Sequence, residues 1–250
     1  MKNDFVMVIP LFNEELRFNE AYFSELIQLS NTKWIFVNDG STDNTAKILA
    51  SLKSKHNIDI LNLKSNYGKS EAIRKGFIRA YELFPHASWY GYLDSDGAFD
   101  ISDIEKIMHI AIQNPQLMDA YFSSRVRLSG KKILRKTYRH FIGRLIVNFF
   151  RIFWKDIPYD TQSGYKLFKL DAHLLHSIST PFKTNWFIDI EIITRISISR
   201  KILIQIWEEP VSKWSDVDGS KIRLKNIFQI SLEILFIQYT LFRNRNLFVS

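Results

Sequence analysis

Trp89-Tyr90-Gly91-Tyr92-Leu93-Asp94-Ser95-Asp96-Gly97 is the stretch on which the reading of this chain turns. Its first five residues read as a buried strand, and the strand leads directly into two carboxylates one residue apart. Carboxylate oxygens are hard ligands that suit Mg²⁺ or Mn²⁺, and such an ion in turn neutralises a diphosphate. A strand end with an Asp turn and a solvated acid pair would look the same, so the meaning of Asp94 and Asp96 depends on what surrounds them.

Outward from this stretch, Phe5 to Ile9, Trp34 to Val37 and Ile58 to Leu63 also read as strands, each followed by polar residues and a helix-like pattern. Strands recurring about every 25 to 30 residues suit a parallel α/β sheet. Ligands of such sheets bind outside the carboxyl ends of the strands. Those are the positions of Glu14 and Glu15 after the first strand, Asp39 after the second, and Asp94 and Asp96 after the fourth. In Val37-Asn38-Asp39-Gly40-Ser41-Thr42-Asp43, helix capping accounts for Ser41 to Asp43 but not for Asp39, which can accept a hydrogen bond from a nucleobase N–H. Two other nucleotide-binding patterns are excluded. There is no G-x-G-x-x-G, and Gly68-Lys69-Ser70 is preceded by Leu63 where a P-loop requires glycine.

The chain has 250 residues, enough for a full core, and no cysteine, which excludes disulfides, thiolate metal sites and a cysteine nucleophile. Net charge is +8, and the sequence holds 20 Phe, 10 Tyr and 6 Trp. The excess charge is local: Arg125 to Lys155 contains Arg125, Arg127, Lys131, Lys132, Arg135, Lys136, Arg139, Arg144, Arg151 and Lys155 and no acid before Asp156. Nucleic acid, phospholipid and a phosphorylated substrate all fit such a segment. From Ile133 to Trp154 apolar residues follow helical spacing, which reads as an amphipathic helix at a membrane surface. Ile227 to Phe242 carries Gln229, Ser231, Glu233, Gln238 and Thr240, too polar for the roughly 20 apolar residues of a spanning helix, and reads as interfacial or buried. Phe5 to Phe12, broken by Pro10, reads as a strand and not as a secretory leader. His173 and His176, without a third ligand, read as helix surface, and Arg127 and Arg144 as solvated charges.

In order along the chain stand Ile9-Pro10-Leu11-Phe12-Asn13-Glu14-Glu15, the Asp39 segment, Asn66-Tyr67-Gly68-Lys69-Ser70 and Asp94-Ser95-Asp96-Gly97. They are followed by Asp160-Thr161-Gln162-Ser163-Gly164-Tyr165-Lys166-Leu167-Phe168, Trp186-Phe187-Ile188-Asp189-Ile190-Glu191, and Glu209-Pro210-Val211 with Trp214 and Gly219-Ser220-Lys221. Taken together, over residues 5 to 222, these motifs resemble the inverting GT-A glycosyltransferases typified by polyprenyl-phosphate sugar synthases. The last three look like those of dolichyl-phosphate glucosyltransferases. The resemblance implies an α/β, GT-A type Rossmann-like fold, with a mostly parallel sheet flanked by helices and with amphipathic interface helices. Residues 1–221 would form the catalytic domain, including a basic amphipathic segment at 131–155, and 222–250 a C-terminal amphipathic helical segment.

The implied activity is transfer of a hexose, glucose from UDP-glucose, to a polyprenyl or dolichyl monophosphate, with Mg²⁺ or Mn²⁺, peripherally on the cytoplasmic face of a membrane. By resemblance, Pro10, Glu14 and Asp39 contact the base of the nucleotide-sugar donor, Lys69 lies near its phosphates or ribose, Asp94 meets ribose or metal, and Asp96 holds the metal. Arg125, after Ser123-Ser124, and Arg139 would hold the acceptor phosphate, with Ser163 and Lys166 beside it. Asp189 and Glu191 are each a general base or a structural acid. Asn38, Ser70-Glu71 and Ala98 depart from the pattern of many relatives. Two other functions remain open on the sequence. A sugar hydroxyl as acceptor would make Asp189 or Glu191 essential as a base. A nucleic-acid binder would use the basic segment, but the acidic strand ends would repel its phosphates unless a metal is bound.

Overall fold

The computed structural model describes residues 4–113, 115–134, 137–215 and 227–248, the side chains of 137–142 and 227 excepted. Strand β1 (Phe5–Leu11) sits near the middle of a seven-stranded sheet and is buried on both faces. Its side chains alternate: Val6 and Val8 join Ile35 and Val37 in one hydrophobic cluster, and Phe5, Met7 and Ile9 join Trp34 and Phe36 in the other. A central parallel strand covered on both sides needs such a continuous apolar run. β2 (Thr32–Asn38) and β4 (Trp89–Leu93) flank β1 in parallel, with β3 (Asp59–Asn62) outside β2. Beyond β4 one strand is reversed. β7 (Tyr165–Lys169) lies antiparallel between β4 and β5 (Ala120–Ser124), and β8 (Ile206–Pro210) runs parallel to β5 at the edge. A short second sheet pairs β6 (Lys132–Leu134) with β9 (Lys213–Ser215).

Helices α1 (Glu20–Leu26), α2 (Thr45–Lys55) and α4 (Ile101–Gln113) cover the Met7 face. The Val8 face is covered by α3 (Lys69–Leu83), α5 (Thr137–Phe150), α6 (Ala172–Ile178), α7 (Ile188–Arg200) and α8 (Ile227–Arg243), with Phe248 of α9 (Arg245–Phe248). α8 and α9 place Ile237, Leu241 and Phe248 in the cluster that holds Val6 and Val8, so the C-terminal segment packs into the main core.

The expected helix from Ile133 to Trp154 is shorter. Ile133 is a buried strand residue of β6, and the helix runs from Thr137 to Phe150. Its apolar positions serve two faces. Val147, Phe150 and Trp154 are core, whereas Leu145, Phe149 and Ile152, spaced by four and three, are exposed. On α8, Phe228, Leu232, Leu235, Tyr239 and Phe242 repeat the same exposed spacing. The two helices pack together: the Gln238 amide donates to the Phe149 carbonyl, and the Phe153 and Phe242 rings meet edge to face at 5.6 Å. No described helix is long and apolar enough to cross a membrane.

Close packing between β4 and β7 needs Gly91, where an added Cβ would lie 2.5 Å from the Lys166 carbonyl and 2.7 Å from Met7 Sδ. Backbone and a packed core cannot both yield. Gly91→Ala is therefore expected to lower stability by about 3 kcal/mol, the upper range for overpacking, as read from urea unfolding midpoints.

Candidate active site

The reversal of β7 builds the site. A strand running against its neighbours begins at the rim where they end, so the loop Asp160–Gly164 arrives beside the carboxyl ends of β4 and β5. Leu93 pairs with Tyr165, and one bond further the Asp94 N–H donates to the Gly164 carbonyl at 2.8 Å. A side chain at 164 would overlap Asp94, since an added Cβ falls 2.5 Å from its Cγ. Asp94 Oδ1 in turn meets Lys69 Nζ at 2.6 Å, from the first turn of α3. The pair is partly open to solvent. Crowding works against the Lys69 charge, but the carboxylates of Asp94, Asp189 and Asp96 outweigh it and hold its pKa above the ordinary lysine value. For Asp96 burial acts first and the Asp94 charge second, and together they raise its pKa, although the Ala98 N–H, at 3.1 Å, and the charges of Lys69 and Arg17 oppose them.

These two carboxylates lie close enough for the charge of Asp94 to act on Asp96, and no cluster of three or more His, Cys, Asp or Glu able to hold a metal exists among the described residues. Mg²⁺ typically uses one or two carboxylates and completes its shell with water and substrate phosphate. An acid pair in which burial and the Asp94 charge raise the proton affinity of Asp96 suits that role, so Asp94 and Asp96 fit a divalent ion shared with a diphosphate.

At the ends of β1 and β2, Pro10, Glu14 and Asp39 line the same rim. Glu14 is buried and meets Arg17 Nη2 at 2.6 Å, while its N–H donates to Thr45 Oγ1. Asp39 accepts the N–H groups of Tyr67 and Gly68 at 2.9 and 2.8 Å, tying β2 to the loop that opens α3. Burial raises its pKa against the pull of those two amides and of Lys75. Asn38 bonds Asn62 and the Ser41 N–H, which stitches β2 to β3 and to its own turn.

On the far side Arg125, Arg144 and Lys166 are engaged within the protein. Arg125 forks onto Asp160, Nε to Oδ2 at 2.7 Å and Nη2 to Oδ1 at 2.8 Å, and its N–H also reaches Oδ2. Its guanidinium lies over the Trp214 ring. Arg144, expected as a solvated charge, donates to the Tyr159 carbonyl and stacks 3.9 Å from that ring's centre. Lys166 is fully buried. It donates to the Ser163 carbonyl and lies 3.2 Å from Asp189 Oδ1, so it braces the loop against α7 from beneath. Burial drives both members toward neutrality, Lys166 down to about 7 and Asp189 up to about 8. Ser163 shares a hydrogen bond with Ser123.

The structure separates the two acids that the sequence left level. Glu191 accepts from the N–H groups of Lys183 and Thr184, the Thr184 hydroxyl and Arg195, which makes it a structural acid. Asp189 faces Lys166 and the cleft lysine. The side chain of Arg139 and the Gly219-Ser220-Lys221 motif lie outside the described residues. Sequence reasoning gave no role to Thr161 and Gln162, yet Thr161 Oγ1 and Gln162 Nε2 are buried polar atoms without a hydrogen-bond partner among the described residues, on the loop beside Asp94. Buried polar atoms are rarely left so, and only the tertiary structure shows that these are.

A sheet of this order with a strand-end acid pair facing a lysine defines a glycosyltransferase of the GT-A class. The glucosyl-3-phosphoglycerate synthase of Mycobacterium tuberculosis, solved with Mn²⁺, uridine diphosphate and glucosyl-3-phosphoglycerate, superimposes with a TM-score of 0.66 at 14% identity, covering 98% of this chain and 81% of that one. The chain belongs to glycosyl transferase family 2, whose profile matches residues 6–193. Among curated relatives, the dolichyl-phosphate beta-glucosyltransferase of Dictyostelium discoideum is 28% identical over 93% of this chain and 73% of its own length. That of Saccharomyces cerevisiae is 31% identical over 87% and 69%.

Removing one partner of a buried pair strands the other, which typically costs about 3 to 5 kcal/mol, whereas replacing both by apolar groups is often neutral. Lys166→Met is expected to destabilise by about that amount, and Lys166→Met with Asp189→Leu to recover most of it in equilibrium unfolding. A double variant as unstable as the single one would deny that the two side chains balance each other.

Proposed function

We propose that this glycosyltransferase moves a hexose, glucose from UDP-glucose, to a polyprenyl monophosphate of the dolichyl type while seated on a membrane surface. The observation that carries the acceptor class is the exposed apolar stripe on α5 and α8. Both helices pack on the molecule that presents the cleft, and a row of exposed apolar side chains on a helix suits an interaction surface. The names of the curated relatives agree with it. The cytoplasmic face is the proposed setting, because its anionic leaflet attracts basic residues at about 1 kcal/mol each, and Arg151, Lys155, Arg243 and Arg245 lie near this stripe in the sequence.

In this reading Pro10, Glu14 and Asp39 receive the base, and Lys69 at the N-terminus of α3 faces the donor's phosphates, where ammonium and helix end act together. A divalent ion on Asp94 and Asp96 would supply charge neutralisation for the departing diphosphate. Arg125, fixed in orientation by Asp160, and Arg139 orient the acceptor phosphate, with Ser163 in the supporting loop. Lys166 acts by bracing that loop, because its ammonium is committed beneath it. A phosphomonoester has a second pKa of about 6, so it attacks as a dianion and needs no base to remove a proton. Inversion follows from one displacement. The acids that a hydroxyl acceptor would call upon are otherwise engaged: Glu191 is saturated with donors and Asp189 is paired with Lys166.

Mass spectrometry of products from a panel of UDP- and GDP-sugars, offered with Mn²⁺ or Mg²⁺ and short polyprenyl phosphates, tests this directly. Transfer to sugar hydroxyls with lipid phosphates ignored would replace the proposal. Asp96→Asn is expected to remove nearly all transfer with the unfolding midpoint unchanged, and activity within tenfold of wild type would remove Asp96 from the metal site. Replacing the exposed Leu145, Phe149, Ile152, Leu232 and Leu235 by Ser should weaken flotation with anionic vesicles and leave UDP binding intact. The same change at buried Phe150 and Trp154 should unfold the protein instead.

A further inference from the structure

α8 carries a single acid, Glu233, and the fold buries it. The side chains around it in sequence, Leu232 and Leu235, are exposed and apolar, so the helix turns its carboxylate inward beside the core row of Ile237 and Leu241 and leaves a second apolar row outward. A buried carboxylate is the exception for its residue type. A buried carboxylate persists only where donors meet it. Here they are the Gln229 amide, one turn back, at 2.9 Å, and the backbone N–H of Trp186 at 2.8 Å.

Trp186 belongs to the short segment 183–187 that leads into α7. Glu191 already holds that segment at Lys183 and Thr184, and Glu233 holds its other end. Between these anchors lies Asn185. Its carbonyl accepts the Ser70 hydroxyl at 3.1 Å, and its side-chain oxygen lies 2.8 Å from where a Cβ on Gly68 would be. Gly68 in turn donates to Asp39. Contacts thus run without a gap from α8 through 185–186 to the loop before α3, which places Lys69 and is tied to Asp39.

We propose that Glu233 is a positioning residue for the donor side of the site: its carboxylate holds Trp186 and, through Asn185, the Gly68–Ser70 turn on which Lys69 and Asp39 depend. This rests on the nucleotide-sugar reading above. It predicts that a residue of the lipid-facing helix controls affinity for the nucleotide.

The test uses the whole chain and two probes, UDP with Mn²⁺ in titration calorimetry and amide hydrogen exchange of segments 66–70 and 183–187. Glu233→Leu keeps bulk and removes the acceptor. It is expected to weaken UDP binding and raise the donor KM about tenfold with kcat within threefold of wild type on a short, water-soluble acceptor, while both segments exchange faster. Glu233→Gln still offers a carbonyl to Trp186 and should stay within twofold of wild type. Ser70→Ala, which cuts the chain of contacts at its other end, should raise the donor KM in the same sense and serves if Glu233→Leu does not fold. Unchanged UDP affinity and unchanged exchange at 66–70 in Ser70→Ala and in any folded Glu233→Leu would overturn the proposal. So would loss of thermal stability in Glu233→Leu with no change in donor KM. If wild-type protein binds no UDP, the donor assignment has failed instead, and the exchange data still decide whether Glu233 controls the loop.

Discussion

Asp94 stands between Lys69 Nζ, 2.6 Å away, and the Gly164 carbonyl that its own N–H reaches, so one residue joins the end of β4, the start of α3 and the loop before β7. Three segments far apart in sequence converge there, and the rest of the rim is arranged so that this convergence does not become a cluster of unanswered negative charge. Glu14 has Arg17, Asp39 has two loop amides, Asp160 has the Arg125 fork and Asp189 has Lys166. Asp96 is raised by burial and by Asp94, with the Ala98 N–H and the charges of Lys69 and Arg17 opposing them.

That arrangement changes what the basic segment means. A run of ten cations without an acid suggests a free positive face. In the folded chain Arg125 is committed to Asp160 and Arg144 to the Tyr159 carbonyl and ring. Charge-assisted, bidentate contacts of this kind fix geometry as much as they contribute energy. Arg125 is therefore preorganised, and a phosphate arriving beside it would meet a guanidinium whose plane is already set.

The stripe itself shows how one helix can present two apolar rows. α5 and α8 each give one row of apolar residues to the core and another to the outside. Packing alone would need only the inner row. Glu233 and Gln238, the polar residues turned inward on α8, are spent on backbone groups of Trp186 and Phe149, which fixes the rotation of the helix about its axis.

Much of the fold was legible in the sequence because its signals are local. Buried runs such as Phe5 to Ile9 and Trp89 to Leu93 mark parallel strands wherever they occur, and a strand end is a fixed place in such a sheet. Glu14, Asp39, Asp94 and Asp96 were placed on one rim for that reason, and the structure puts them there. The antiparallel insertion of β7 was not legible, since direction depends on which neighbour a strand pairs with and leaves no mark on its own period. Nor was the division of labour among charges. Ile133 to Trp154 has helical spacing throughout, yet its first residues pair as a strand with β9, and Phe149 and Phe150, adjacent in sequence, point to opposite environments. Asp189 and Glu191 lie two residues apart and look equivalent. Tertiary packing set one against a buried lysine and the other among backbone amides, because a carboxylate removed from water takes the chemistry of whatever donors the fold brings to it.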